Sequence, residues 1–259
     1  MIYVITHKEF DDKSFCKDGY QVLHVGTNTN MKNYYLRDDV SDNIAEKNPH
    51  FCELTGMYWI WKNGEETSDE IVGLVHYRRG FTSKQENLAY SFGGKIPQNV
   101  ELAQAKELLQ NYDMIVPIPE KGFKTVYQTY AKMHHGEDLE LTREAISEVC
   151  PEYLPDFEKA MNEHFYFNGN MFITRKKEFD AYASWLFLVY DKLEEKIDLN
   201  KYEDTYQARV YGFISERLLN VWLLHNHVNY KELSIFNTEI RSLNGLTKNM
   251  GRIKKIFNR

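Results

Sequence analysis

The sequence predicts an α/β sandwich built on a mostly parallel central sheet. Three observations carry that expectation. Short apolar runs stop abruptly at polar or cationic residues, segments of helical period alternate with them, and no Pro- or Gly-rich linker divides the chain. The 259 residues are therefore expected to form one domain (1–259), long enough to bury a substantial core.

Residues 2–6 read as a buried first strand that ends at polar His7-Lys8, and residues 21–25 as a second that ends at Gly26. Residues 28–48 are polar, with Asp38, Asp39, Asp42 and Asn43 supplying loop or helix-start chemistry. Residues 52–63 read as a helix after Pro49, with Asn63-Gly64 as its stop. The continuous run Ile71-Val72-Gly73-Leu74-Val75 suits a central strand covered on both faces, and it ends in His76-Tyr77-Arg78-Arg79. Residues 83–99 read as a loop or peripheral hairpin, 101–109 as a short helix, and 112–117 as a strand stopped by Pro117 and Pro119. Residues 125–135 are polar and aromatic, and 138–149 have helical spacing before Pro151 and Pro155. Strand-like pieces flank Asn168-Gly169-Asn170 within 165–174. A long helix over 177–195 carries Phe179, Tyr182, Trp185, Leu186, Val189 and Leu193 at three- to four-residue spacing. Residues 212–216 lead into an apolar helix at 217–225. The end of the chain, about 248–259, holds five cations and no acid; Arg252, Lys254, Lys255 and Arg259 interleave with Ile253, Ile256 and Phe257 as on a basic amphipathic helix, a pattern suited to an anionic membrane surface or to a solvated tail.

Composition narrows the function. A net charge of −6 argues against non-specific nucleic-acid binding, although it leaves room for a local basic pocket. Cys16, Cys52 and Cys150 are odd in number and far apart, so a reducing cytoplasm fits better than a disulfide framework. Neither a signal peptide nor an apolar run of membrane-spanning length is expected. The 18 tyrosines and 15 phenylalanines can pack on sugar faces or simply fill the core.

In open α/β sheets ligands sit beyond the carboxyl ends of strands, which selects His7, the 76–79 cluster and residues 117–120 without ranking them. Arginine forks match phosphate oxygens, and His76 adds a donor beside Arg78 and Arg79. The other reading pairs one arginine with a structural carboxylate. No Walker-type loop and no Gly-x-Gly-x-x-Gly is present. Asn168, Gly169 and Asn170 allow close backbone approach to a ligand, or form a plain turn. Glu53 suits sugar hydroxyls or a helix cap. Glu216, read as standing at a helix start, suits a general base or a simple N-terminal charge. His134 and His135, near Asp138, suit polar substrate recognition better than a metal, since no third ligand is placed.

The segments Asn48 to Asn63, Val72 to Phe81, Phe167 to Phe172 and Gly212 to Leu218 together resemble a bacterial capsular and exopolysaccharide glycosyltransferase family. That family was long labelled a domain of unknown function, and some members are galactofuranosyltransferases. The resemblance covers nearly the whole chain; its first two segments are long and specific. It implies a GT-A-like nucleotide-binding α/β sandwich that transfers a sugar, galactofuranose by preference, from a UDP-sugar to a lipid-linked oligosaccharide; the expected location is the cytoplasm, with the basic tail as a means of peripheral contact with the inner face of the cell membrane. Thr6 and His7 would face the nucleotide. His76, Arg78, Arg79, Asn168, Gly169 and Asn170 would bind the donor, while Glu53, Tyr58, His134 and His135 would bind sugar or acceptor. Glu216 would be the base, with Asp138 in reserve. Where many such enzymes carry Asp-x-Asp and a divalent ion, this sequence reads His-Tyr-Arg-Arg, so fixed positive charge would replace the metal and no cofactor is expected. Inversion is preferred, but Asn168-Gly169-Asn170 also resembles a motif of retaining enzymes. The rival readings are a non-catalytic sugar-nucleotide-binding subunit, which would keep the arginines and need no base, and a phosphoryl transferase, which would need acidic metal ligands.

Overall fold

The computed structural model describes residues 1–28, 31–64 and 71–239; the basic segment at 248–259 lies outside them. The first half of the chain contains β1 (Ile2–Thr6), α1 (Asp12–Phe15), β2 (Tyr20–His24), β3 (Leu36–Arg37), α2 (Asn48–Phe51), α3 (Leu54–Asn63), β4 (Ile71–His76), β5 (Arg79–Thr82), α4 (Lys84–Ser91), α5 (Leu102–Leu108) and β6 (Met114–Pro117). The second half contains β7 (Glu120–Lys121), α6 (Val126–Met133), α7 (Glu137–Val149), α8 (Leu154–Asn162), β8 (Phe165–Tyr166), β9 (Phe172–Arg175), α9 (Lys176–Glu194), α10 (Val210–His225) and β10 (Tyr230–Asn237).

The main sheet has the order β3-β2-β1-β4-β5-β10-β6-β9. A further pairing of β4 with β9 closes its second half into a barrel-like ring. The fold is mixed α/β, and the sheet corrects the expectation of mostly parallel strands. The pairs β1–β2, β1–β4, β2–β3 and β6–β10 are parallel. The pairs β4–β5, β5–β10, β4–β9 and β6–β9 are antiparallel. The reason lies at β4. Its carboxyl end turns back at once, with His76 opposite Arg79, so β5 descends beside it instead of crossing over a helix.

The alternation of β4 explains its apolar run. Val72 and Leu74 enter one core with Ile5, Leu23, Met57 and the faces of α9 and α10. Ile71 and Val75 enter the other, with Ile2, Val4, Val22 and Ile173. Gly73 lies where a Cβ would stand 3.0 Å from side-chain atoms of both Ile173 and Ile2, so its bareness admits the two neighbouring strands.

Several local expectations differ from the structure. Residues 83–99 hold a helix, α4, capped by Ser83 accepting from the Glu86 amide, rather than a hairpin. The 52–63 helix is broken at Cys52, whose φ of 54° separates α2 from α3. The last long helix starts at Val210, not near Arg217, which puts Glu216 in its second turn and removes the helix-start argument for that carboxylate. Strand β10 joins the two halves of the sheet and had no expectation at all.

Candidate active site

A cleft of roughly 960 Å³ opens at the carboxyl ends of β1 and β4. Its lining includes Thr6, His7, Lys8, Glu53, His76, Arg78, Arg79, Glu120, His134, Asn168, Gly169, Arg209, Phe213, Glu216 and Arg217. The strand-end rule therefore located the cavity, and residues distant in sequence complete it.

The β4–β5 hairpin sorts the basic cluster. His76 and Arg79 face each other across the strands and so project to the same side, while Tyr77 and Arg78 form the corner. Tyr77 is buried, and its amide donates to the Ile5 carbonyl at 3.0 Å, which pins the corner to β1. Arg78 turns to Glu239, donating from Nη1 to Oε2 at 3.0 Å; Lys8 Nζ meets the other oxygen of that carboxylate at 3.0 Å. Arg79 lies over Gly169, where an added Cβ would stand 3.1 Å from Nη1. Burial lowers the His76 pKa, with Arg79 and Arg78 adding to the effect against Glu53. The His7 pKa is lowered by desolvation and by Lys8, Arg78 and Arg209. Its ring packs edge-on against Tyr77 at 5.4 Å. Thr6 is buried, and its hydroxyl accepts from the Lys8 amide at 3.1 Å, so it shapes the turn after β1.

Opposite chemistry comes from the Asn168-Gly169-Asn170 turn and from α10. Gly169 and Asn170 have φ of 94° and 49°, a left-handed pair that only Gly and Asn adopt cheaply. The turn aims the Gly169 amide at Glu216 Oε1, 2.9 Å away. Glu216 Oε2 accepts from Arg217 Nη1 at 2.7 Å. Burial raises the Glu216 pKa, Glu53 raises it further, and Arg217 opposes both. The Arg217 guanidinium is itself buried, held over the rings of Tyr166 at 4.4 Å and Tyr130 at 5.1 Å. Asn170 is 5% exposed and does not line the cleft. It braces the site from behind, donating to Glu53 Oε1 at 2.6 Å and to the Gly212 carbonyl at 3.1 Å. Asn168 donates to Glu120 Oε1 at 2.7 Å on the rim.

A third wall combines the end of α6 with the first turn of α10 and the residues before it. His134 stacks on Phe213 with centroids 4.0 Å apart, and its Nδ1 pairs with Gln207 Oε1 at 3.0 Å. Tyr206, more than half exposed, lies 5.1 Å from Phe213. Arg209 reaches past both rings, and its Nε donates to Cys52 Sγ at 3.0 Å. Burial pushes the Cys52 thiol up to about 12, so it stays neutral.

Besides Asn170, three expected residues fall outside the cleft lining. Asp138, the reserve base, is 1% exposed and accepts from Tyr202 at 2.9 Å, Tyr130 at 3.1 Å and Lys201 at 2.8 Å; it fastens the first turn of α7 and does not open into the cleft. Tyr58 points across α3 to Asp42 at 3.2 Å and packs on Phe187, because its helical position faces away from the strand ends. His135 parts from His134 and meets the Tyr202 ring at 5.3 Å. Conversely, Arg217 and Phe213 sat unassigned inside a segment already singled out. Glu120 fell within the strand-end selection 117–120 without a role of its own, while Lys8, Tyr206 and Arg209 gave no signal, since only tertiary contacts bring them here. Among the described residues no three His, Cys, Asp or Glu side chains group as a metal-ligand set.

Residues 1–227 match the model of a family described as a domain of unknown function, DUF4422. The apo structure of the bifunctional glycosyltransferase WbbM is similar, with a TM-score of 0.76 and 29% identity over 94% of this chain. The match covers 46% of that chain, so the present chain spans about half its length. No curated protein matches. No described helix is long and apolar enough to cross a membrane.

Proposed function

The chain belongs to the DUF4422 family, and from that premise we propose that it is a glycosyltransferase working in the cleft at the ends of β1 and β4. It takes a UDP-sugar, with UDP-galactofuranose preferred, and transfers the sugar with inversion to a hydroxyl of a lipid-linked capsular or exopolysaccharide glycan. The observation that carries this reading is the division of one cavity into a cationic hairpin, His76 to Arg79, and two carboxylates, Glu53 and Glu216, held by the Asn168 to Asn170 turn. The similarity to a glycosyltransferase structure supports it.

In the reaction, the acceptor hydroxyl gives its proton to Glu216 as its oxygen attacks the anomeric carbon. The bond from that carbon to the donor diphosphate breaks, and the electron pair leaves with the phosphate oxygen. Burial makes Glu216 a stronger base than an exposed glutamate, while Arg217 and the Gly169 amide keep it ionised and oriented. Glu53, braced by Asn170, accepts hydroxyls of the transferred sugar. The His134, Tyr206 and Phe213 wall offers ring faces to the acceptor. Developing charge on the diphosphate is met by guanidinium groups instead of a divalent ion, since preorganised fixed charge stabilises it without reorganisation. A screen of UDP-sugars by thermal shift and product formation, with EDTA and with Mn²⁺, tests the reading. Transfer from one UDP-sugar at the same rate in EDTA supports it. Tight UDP-sugar binding with neither transfer nor donor hydrolysis refutes the enzyme in favour of a binding subunit, and turnover abolished by EDTA and restored by Mn²⁺ refutes metal independence.

A further inference from the structure

We infer that the leaving diphosphate is gripped by Arg79 of β5 and Arg209 just before α10, both in the cleft lining, rather than by the neighbouring pair Arg78 and Arg79. The inference rests on the donor reading above and follows from which cations of the cavity already have an ion-pair partner. Lys8 and Arg78 already share the Glu239 carboxylate at 3.0 Å each. Arg217 is paired with Glu216 at 2.7 Å and lies buried between two tyrosine rings. His7, His76 and His134 are held below the usual imidazole range by desolvation, so near neutral pH they bring donors or acceptors but no charge.

Two cations remain. Neither Arg79 nor Arg209 has a carboxylate within ion-pair distance among the described residues. Arg79 is fixed beside His76 by the hairpin register and over the bare Gly169 by close contact. Arg209 spends only its Nε, on a neutral thiol, and its placement by the Tyr206 and Phe213 rings at 5.9 and 5.8 Å leaves the η nitrogens without a partner among the described residues. Arg209 lines the same cleft as His7 and the hairpin arginines. Two planar guanidiniums from separate elements match the several anionic oxygens of a nucleoside diphosphate and bind them through charge-assisted forks. When the bond to the anomeric carbon breaks, the electron pair remains on the terminal phosphate oxygen, and the two arginines stabilise that added charge.

Isothermal titration in EDTA, with UDP, UMP and pyrophosphate as probes, tests the assignment. Arg79→Gln and Arg209→Gln are each expected to weaken UDP by about ten-fold or more while changing UMP little, so that the preference for UDP over UMP collapses. Arg209→Lys, which keeps the charge, is expected to recover part of the loss; unchanged melting curves guard against misfolding. An unchanged UDP-to-UMP ratio in Arg209→Gln overturns the inference, as does Arg78→Gln weakening UDP while Arg209→Gln does not. Pyrophosphate binding that depends on Arg79 and Arg209 without any UDP binding would keep the inference and remove the UDP-sugar reading. Failure of all three probes removes both.

Discussion

Replacing Asp138 separates a structural carboxylate from a chemical one. The side chain is 1% exposed, and its two oxygens take three donors: Tyr202 Oη at 2.9 Å, Tyr130 Oη at 3.1 Å and Lys201 Nζ at 2.8 Å. A hydrogen bond to a charged group contributes about 1.5–3 kcal/mol, and removing one partner of a buried ion pair costs about 3–5 kcal/mol. Tyr130 is fully buried and has no water to turn to, whereas Lys201 is partly exposed and recovers some hydration. Asp138→Ala should therefore lose about 3–5 kcal/mol, and Asp138→Asn, which keeps one acceptor oxygen, about 2–3 kcal/mol. At about 2–4 °C per kcal/mol for a chain of this size, Asp138→Asn should melt roughly 5–10 °C lower. The assay is urea unfolding beside calorimetry, with transfer measured well below the melting range and normalised to folded protein. The expected result is a large fall in stability with near-normal turnover per folded molecule. If folded Asp138→Asn loses most of its turnover while melting like the parent chain, the carboxylate belongs to the chemistry and the argument from its three donors is wrong.

Other outcomes follow from the cleft. Glu216→Gln is expected to keep UDP-sugar binding and slow transfer by about 100-fold or more; a normal single-turnover rate would remove Glu216 from the mechanism. Glu239→Gln frees Lys8 and Arg78 from their shared carboxylate, so UDP should bind more tightly, and the gain should shrink with added salt; weaker binding would show that Glu239 positions those cations instead. Stability should fall between about pH 7 and pH 6: the unfolded chain protonates His7, His24, His76 and His134 near the ordinary value of about 6.5, while the folded chain resists until lower pH. Asp38, pushed up to about 6 by burial, works the other way as pH falls further. His24→Phe, at a buried ring with both nitrogens unpartnered, should flatten the loss in urea midpoint; an unaltered slope would acquit His24.

The sequence by itself determined what depends on near neighbours. The apolar run of β4 and its polar stop marked a central strand and the mouth of the cleft, because a strand covered on both faces leaves the core only at its ends. The spacing of Phe179, Tyr182, Leu186 and Leu193 marked α9 because helical period is a local property. The Asn168-Gly169-Asn170 step marked a tight turn, for those residue types tolerate positive φ. Tertiary structure decided the rest. Strand β10 pairs with β5 and β6 across long separations, and β9 closes the ring onto β4; neither partner is encoded in the strand's own pattern. The surroundings of look-alike residues were decided in the same way. Asp138 and Glu216 are both carboxylates on helices, yet one is sealed among tyrosines and the other opens into the cleft. Arg78 and Arg79 are adjacent, yet the hairpin corner sends one to Glu239 and leaves the other over Gly169, because the turn of the backbone, and not the order in the chain, sets which groups each side chain can reach.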